Sequence, residues 1–240
     1  NIKTFAKKFG DKYLINGQKI WTSTAQVADK IMLLARTLPN EKCRKRTDGL
    51  SLFYTALNKK NIKVQEIPKM GRAAVDSNEI FIENLEISER DRIGDEHNGF
   101  QYLIDSLNPE RILIAAEAIG LGKDALKRAV RYAKERIVFD RAIGQNQSIQ
   151  HPLAKNWIEL EAAELMVAKA AYQYDNGLPS GAMANAAKYF AAEAGFRAAT
   201  DAVSTLGGMG YAKEFHVERL LRESLIPKLA PVSAQMILNY

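Results

Sequence analysis

Asn108-Pro109-Glu110-Arg111 sets a carboxylate beside a guanidinium where an apolar, helically spaced run begins. A carboxylate so placed can accept a proton, and it can equally be the first-turn acid that compensates a helix dipole. Glu135-Arg136 and Asp140-Arg141 fall where that run ends, and cations there offset the partial charge of a helix C-terminus. Leu206-Gly207-Gly208-Met209-Gly210 is glycine-rich like a phosphate loop. No strand pattern precedes it and no Lys-Ser or Lys-Thr closes it, so neither a Rossmann nor a P-loop site follows. Its glycines equally serve to end one helix and start the next. His97, His151 and His216 have no ligand-like spacing to Cys43 or to carboxylates, so no metal site is expected.

Two kinds of element must position these groups. Up to about residue 95 the apolar runs are short: Ile31 to Ala35, Leu50 to Leu57, Ile62 to Ile67 and Ile80 to Leu85, punctuated by Asn, Asp, Gly, Lys and Pro. Asn16-Gly17, between Tyr13-Leu14-Ile15 and Gln18-Lys19-Ile20-Trp21, predicts a tight hairpin turn. These segments predict a small antiparallel β domain over 1–95. After Asn98-Gly99 the period becomes helical, in Ile112, Ala115, Ala116 and Ile119 and again in Leu153, Trp157, Leu160 and Val167. An Ala-rich helix over Gly181 to Leu206 and a fourth from near Glu214, joined by short connections, predict an up-down four-helix bundle over 96–240. The fold class is α+β.

The 240 residues, 47% hydrophobic and 26% charged, have the profile of a folded globular chain. A single cysteine, Cys43, excludes an internal disulfide and fits a reducing compartment. The net charge of +6 suits an anionic partner, but Lys42, Arg44, Lys45 and Arg46 cluster between two apolar runs and read as a solvated loop, so nucleic acid is only weakly indicated. No apolar run reaches about eighteen residues, and no membrane partner is expected. The chain opens on Asn1 and is expected to start inside a longer polypeptide.

Taken together and in order, the segments resemble the acyl-CoA dehydrogenase family over essentially the whole chain. Tyr13 to Trp21, Leu34-Ala35-Arg36-Thr37, Lys69-Met70-Gly71-Arg72 and Ile80 to Leu85 are similar to its β middle domain. Glu110-Arg111, Ala115 to Gly120, Arg136 to Phe139, Ile143 to Gln147 and Gly207 to Tyr211 are similar to its C-terminal helical bundle. The family's N-terminal helical domain is absent from this chain, which on its own is expected to hold FAD poorly.

The resemblance implies an FAD enzyme, a homodimer or homotetramer, that dehydrogenates an acyl-CoA in fatty-acid β-oxidation and passes electrons to an electron-transfer flavoprotein. It implies that Trp21, Thr22 and Ser23 face the flavin ring, with the Ser23 hydroxyl toward N5. Arg136, Val138 and Gln147 are implied to reach the FAD of a neighbouring subunit, Arg136 at the pyrophosphate. Gly207 and Gly208 are implied to approach its adenosine end, with Ser204 where many members have Gln. Asn108 and Arg111 match positions near the acyl-CoA. The glutamate that is the base in much of the family is replaced here by Pro231, within Leu229-Ala230-Pro231-Val232-Ser233. A minority of members, of the isovaleryl and long-chain types, carry the base at the position of Glu110. Glu110 is therefore the expected base. An oxidase that returns electrons to oxygen, a DNA-binding relative and a non-catalytic scaffold remain as alternatives, and the expected location is the mitochondrial matrix or the bacterial cytoplasm.

Overall fold

The structure is a computed structural model that describes residues 2–239, and its backbone separates into two compact units, Asn1–Ser106 and Leu107–Tyr240. The first is built on seven strands: β1 (Phe5–Phe9), β2 (Lys12–Ser23), β3 (Lys30–Arg36), β4 (Leu50–Ala56), β5 (Ile62–Glu66), β6 (Ser77–Ser88) and β7 (Arg92–Ile93). They form one sheet in the order β5-β6-β2-β1-β3-β4-β7. All neighbours are antiparallel except β1 and β3, which share one parallel pair, Phe5 with Arg36. Alternating apolar residues put Tyr13, Ile15, Leu33, Phe53, Ile80, Ile82 and Leu85 into one core, where Tyr13 meets Phe53 edge-on at 5.0 Å between ring centroids.

The expected hairpin at Asn16-Gly17 is not formed. Both residues lie inside β2, at a bulge where the register with β6 shifts between Ile15 and Gly17, and the turn that joins β1 to β2 is Gly10-Asp11. Gly17 is required for a different reason: at φ 147° a Cβ there would stand 2.6 Å from the Thr4 Cα. Asn16 uses its side-chain oxygen to accept from the Asn84 amide at 2.8 Å.

The basic loop is a built structure with a solvated exterior. Arg36 is buried at 4% exposure, and its guanidinium donates to the carbonyls of Ile2, Leu38, Arg46 and Asp48. Lys42, Arg44, Lys45 and Arg46 all point to solvent.

Three long helices make up most of the second unit. They are α1 (Gly99–Glu135), whose first turns belong to the sheet unit, α2 (Gln147–Asp175) and α3 (Gly181–Leu206). A two-strand ribbon, β8 (Ile137–Val138) with β9 (Arg141–Ala142), links α1 to α2. Short helices follow: α4 (Gly208–Tyr211), α5 (Val217–Ser224), α6 (Ile226–Leu229) and α7 (Ala234–Ile237). Gly181 lies near Asn108 and Gly195 against Ala118, so α1 and α3 run parallel; Glu159 pairs with Arg197 and Asn156 with Asp201, so α2 is antiparallel to both. The contacts are close because the facing residues are small: a Cβ on Gly195 would come within 2.4 Å of the Ala118 carbonyl oxygen. The core is accordingly alanine-rich, with Ala115, Ala129, Ala163, Ala191, Ala198 and Ala202 all buried.

Two helix boundaries differ from expectation. The first long helix starts at Gly99, so Asn108-Pro109-Glu110-Arg111 sits well inside it, with Pro109 accommodated in the helix interior. The fourth bundle element is short, α5 spanning eight residues, and Pro227 opens the next turn where a longer helix would have needed an amide. Among the described residues no helix is long and apolar enough to cross a membrane.

Candidate functional site

Three patches carry the residues singled out from the sequence. In the sheet unit, Trp21, Thr22 and Ser23 close β2 at a second register shift, between Lys19 and Thr22. Trp21 has φ 64° and Thr24 φ 57°, left-handed values that a bulky or β-branched residue adopts only under constraint. The bend turns the indole outward, leaving Trp21 61% exposed, with the Ser23 side chain also at the surface. Asn78, fully buried beneath them on β6, donates to the Thr22 carbonyl oxygen at 3.0 Å. Burial pushes the Lys19 ammonium, two residues before Trp21, down to about 8.

The second patch lies near the start of the bundle portion of α1. Glu110 is exposed and makes no ion pair among the described residues. Arg111, half-buried, donates through Nη1 to Asn108 Oδ1 at 2.9 Å, one helical turn back. That placement removes the dipole-compensation explanation for Glu110, since the helix N-terminus is about three turns away.

Beside this turn runs α3, where Lys188 is fully buried and its Nζ donates to the Val232 carbonyl oxygen, tying down the segment that contains Pro231. Burial pushes the Lys188 ammonium down to about 8; the Arg111 charge adds to that shift and Glu193 opposes it. Glu193 in turn pairs with Lys228 of α6 at 3.0 Å.

The third patch is the opposite end of the bundle, where α1 and α3 finish and α2 starts. Arg136 follows directly on α1, is exposed, and has no ion pair among the described residues, so its fork is available to an anion. Val138 lies on β8, whose turn to β9 uses Phe139 and Asp140, both at positive φ. Gln147 is the first residue of α2 and is exposed. Ser204 is exposed on the last turn of α3, its carbonyl accepting from the Gly207 amide at 3.1 Å. Gly207 has φ 60°, and neither it nor Gly208 has a heavy atom within 4 Å of an added Cβ, so a ligand can approach the backbone there. Arg128, Arg131, Tyr132, Glu135, Leu206, Glu214, Phe215 and His216 line a cleft of about 270 Å³ that joins the ends of α1 and α3.

The donor set fits FAD: an outward-facing indole with neighbouring hydroxyls for a flat ring, a guanidinium fork for a pyrophosphate, and an open glycine backbone for a nucleoside. The sequence reading missed Asn78 and Lys188. Lys188 had a signal, since it stands in the apolar stripe Ala184, Ala187, Ala191 of an otherwise alanine-faced helix, where a charge must find a buried acceptor. Asn78 had none, as two of its three partners, Thr22 and Gln26, come from a distant part of the chain. Among the described residues no group of His, Cys, Asp and Glu is placed to hold a metal ion. A cleft of about 480 Å³ on the sheet, lined by Lys59, Lys60, Lys63 and Phe81 among others, contains none of the three patches.

Comparison with known proteins matches residues 1–85 to the family model "Acyl-CoA dehydrogenase, middle domain" and residues 97–230 to "Acyl-CoA dehydrogenase, C-terminal domain". An acyl-CoA dehydrogenase of Bacillus subtilis is 37% identical over 95% of this chain and 60% of its own length. Butyryl-CoA dehydrogenase from Megasphaera elsdenii superposes with a TM-score of 0.93 at 30% identity, over 99% of this chain and 62% of its own. A structure described as the electron transferring flavoprotein of Acidaminococcus fermentans, in work on flavin-based electron bifurcation, gives 0.93 at 31% identity, with 99% and 62% covered. The chain thus spans about three-fifths of the length of the curated relatives it matches.

Proposed function

Because this chain belongs to the acyl-CoA dehydrogenase family, an oxidoreductase family, we propose that the protein dehydrogenates an acyl-CoA thioester to the 2-enoyl-CoA, with Glu110 as base and an electron-transfer flavoprotein as acceptor. One observation carries the reading most: Glu110 stands unpaired and exposed in mid-helix beside Arg111, while position 231, the other place a base would occupy, is a proline. The Glu110 carboxylate takes the α-proton. The β-hydrogen leaves as hydride with its electron pair, and the carbon–carbon double bond forms between the two centres. FAD, when bound, supplies the acceptor for that hydride.

Trp21 offers a stacking face and Ser23 a hydroxyl donor to the flavin ring; Arg136, Val138, Gln147, Ser204, Gly207 and Gly208 serve the phosphate and adenosine portion; Asn108 and Arg111 orient the acyl-CoA. The proposed domains are 1–95 and 96–240, and the setting is β-oxidation in a mitochondrial matrix or bacterial cytoplasm. Glu110 and the end of α1 lie about 38 Å apart along one helix, at about 1.5 Å per residue. That span favours a homo-oligomer in which the Arg136 end of one copy serves the cofactor of another. Anaerobic titration of the full-length, FAD-loaded protein with acyl-CoAs of varied length and branching tests the reading. Bleaching of the flavin band by one class is the expected outcome, and no bleaching by any of them would refute it.

A further inference from the structure

We propose that Asn78 is the positioning residue of the Trp21–Ser23 segment, its buried amide locking the left-handed bend from which Trp21 and Ser23 meet the flavin. The proposal rests on the flavoprotein reading of that segment. Two non-glycine residues at positive φ, Trp21 and Thr24, bracket Thr22 and Ser23. Each costs on the order of a kcal/mol or more unless neighbouring contacts over-determine it.

The β2–β6 ladder supplies only part of that constraint: its pairing skips from Lys19 to Thr22, joins Thr22 to Asn78 and Ser23 to Ser77, and ends before Thr24. The Asn78 side chain adds to it through three polar contacts. Its Nδ2 donates to the Thr22 carbonyl oxygen at 3.0 Å and to the Asp76 carboxylate, and its Oδ1 accepts from Gln26 Nε2 at 3.3 Å. Asp76 completes the tie from the far side: its carbonyl oxygen accepts from the Thr24 amide at 3.2 Å and its carboxylate from the Gln26 amide at 3.4 Å. The node therefore grips the bend between its strained residues at Thr22, on the second of them at Thr24, and after them at Gln26.

Its chemistry demands a neutral side chain that both donates and accepts in a fully buried position. Leucine would fill the same volume without the bonds, and aspartate would keep the shape but set a second carboxylate against Asp76. The Asn78 hydrogen bond holds the Asp76 carboxyl below the usual carboxylate range, in keeping with an anion already engaged.

The test is hydrogen exchange of the full-length flavoprotein carrying Asn78→Leu or Asn78→Asp, together with FAD affinity and the visible flavin spectrum. Exchange is expected to quicken over residues 20–28 alone, FAD binding to weaken about tenfold, and the flavin band to shift. Wild-type exchange and affinity in both variants would overturn the proposal. So would loss of protection across the whole sheet, which would make Asn78 an ordinary core residue. Should neither variant fold, Gln26→Ala removes one of the three contacts from an exposed position and is expected to give the same local pattern in smaller degree; no local change would count against Asn78. A wild type that takes up no FAD would sink the flavin reading alone, because the exchange map over 20–28 still decides what Asn78 holds.

Discussion

At the scale of single residues, the proposed chemistry rests on Glu110. Glu110→Gln keeps the shape and removes the base, and substrate-driven flavin reduction is expected to fall about a hundred- to ten-thousand-fold while acyl-CoA still binds. Rapid-mixing absorbance measures this, and an unchanged rate would return the base to some other group. Lys188 makes a separate prediction about stability. Its folded pKa of about 8 lies below the ordinary 10.5, so between those values the unfolded chain binds more protons than the folded one. Stability contributed by the neutral amine is thus fully present above pH 10.5 and lost as pH falls through about 8. Wild type is expected to gain stability relative to Lys188→Met as pH rises through that window, by no more than about 3 kcal/mol, in denaturant titrations at several pH values. A difference that stays flat with pH would mean that folding leaves the Lys188 ammonium at its ordinary pKa.

At the scale of elements, the bulge at Gly17 makes a prediction that the turn reading does not. Gly17→Ala drives a methyl group into the Thr4 backbone in the middle of β2, and is expected to cost about 1–3 kcal/mol in chemical denaturation. A cost near zero would mean that β1 and β2 separate freely there. The strands themselves were legible in the sequence, because runs such as Ile31 to Ala35 and Leu50 to Leu57 are short, apolar and bounded by turn residues, and β3 and β4 fall on them. Asn16-Gly17 misled because the same dipeptide serves a tight turn and a close backbone approach, and only the position of Thr4 tells them apart. The start of α1 was misplaced for another reason: the apolar spacing becomes regular only from Ile112, while the helix itself begins at Gly99 and carries Pro109 in its interior. Glu110 and Trp21 to Ser23 stood out because their types recur in a recognisable order. Asn78 did not, since its role exists only once Thr22, Gln26 and Asp76 are brought around it.

At the scale of the whole molecule, the proposal that the Arg136 end of one copy serves the cofactor of another predicts shared sites, and mixing tests this. With Glu110→Gln in one copy and Arg136→Ala in another, each homo-oligomer is expected to be impaired at every site. In randomly assembled dimers of the two, half are mixed and each mixed dimer regains one intact site, so about a quarter of wild-type activity should return. Activity no higher than that of the separate variants would mean that each copy serves its own cofactor. The buried Arg36 has a consequence of another kind. Because its guanidinium holds the loop from 37 to 49 by main-chain oxygens, the outward side chains of Lys42, Arg44, Lys45 and Arg46 contribute almost nothing to the loop's shape. The loop's net charge can therefore drift to any sign, or be recoloured by design, over a backbone that does not register the change.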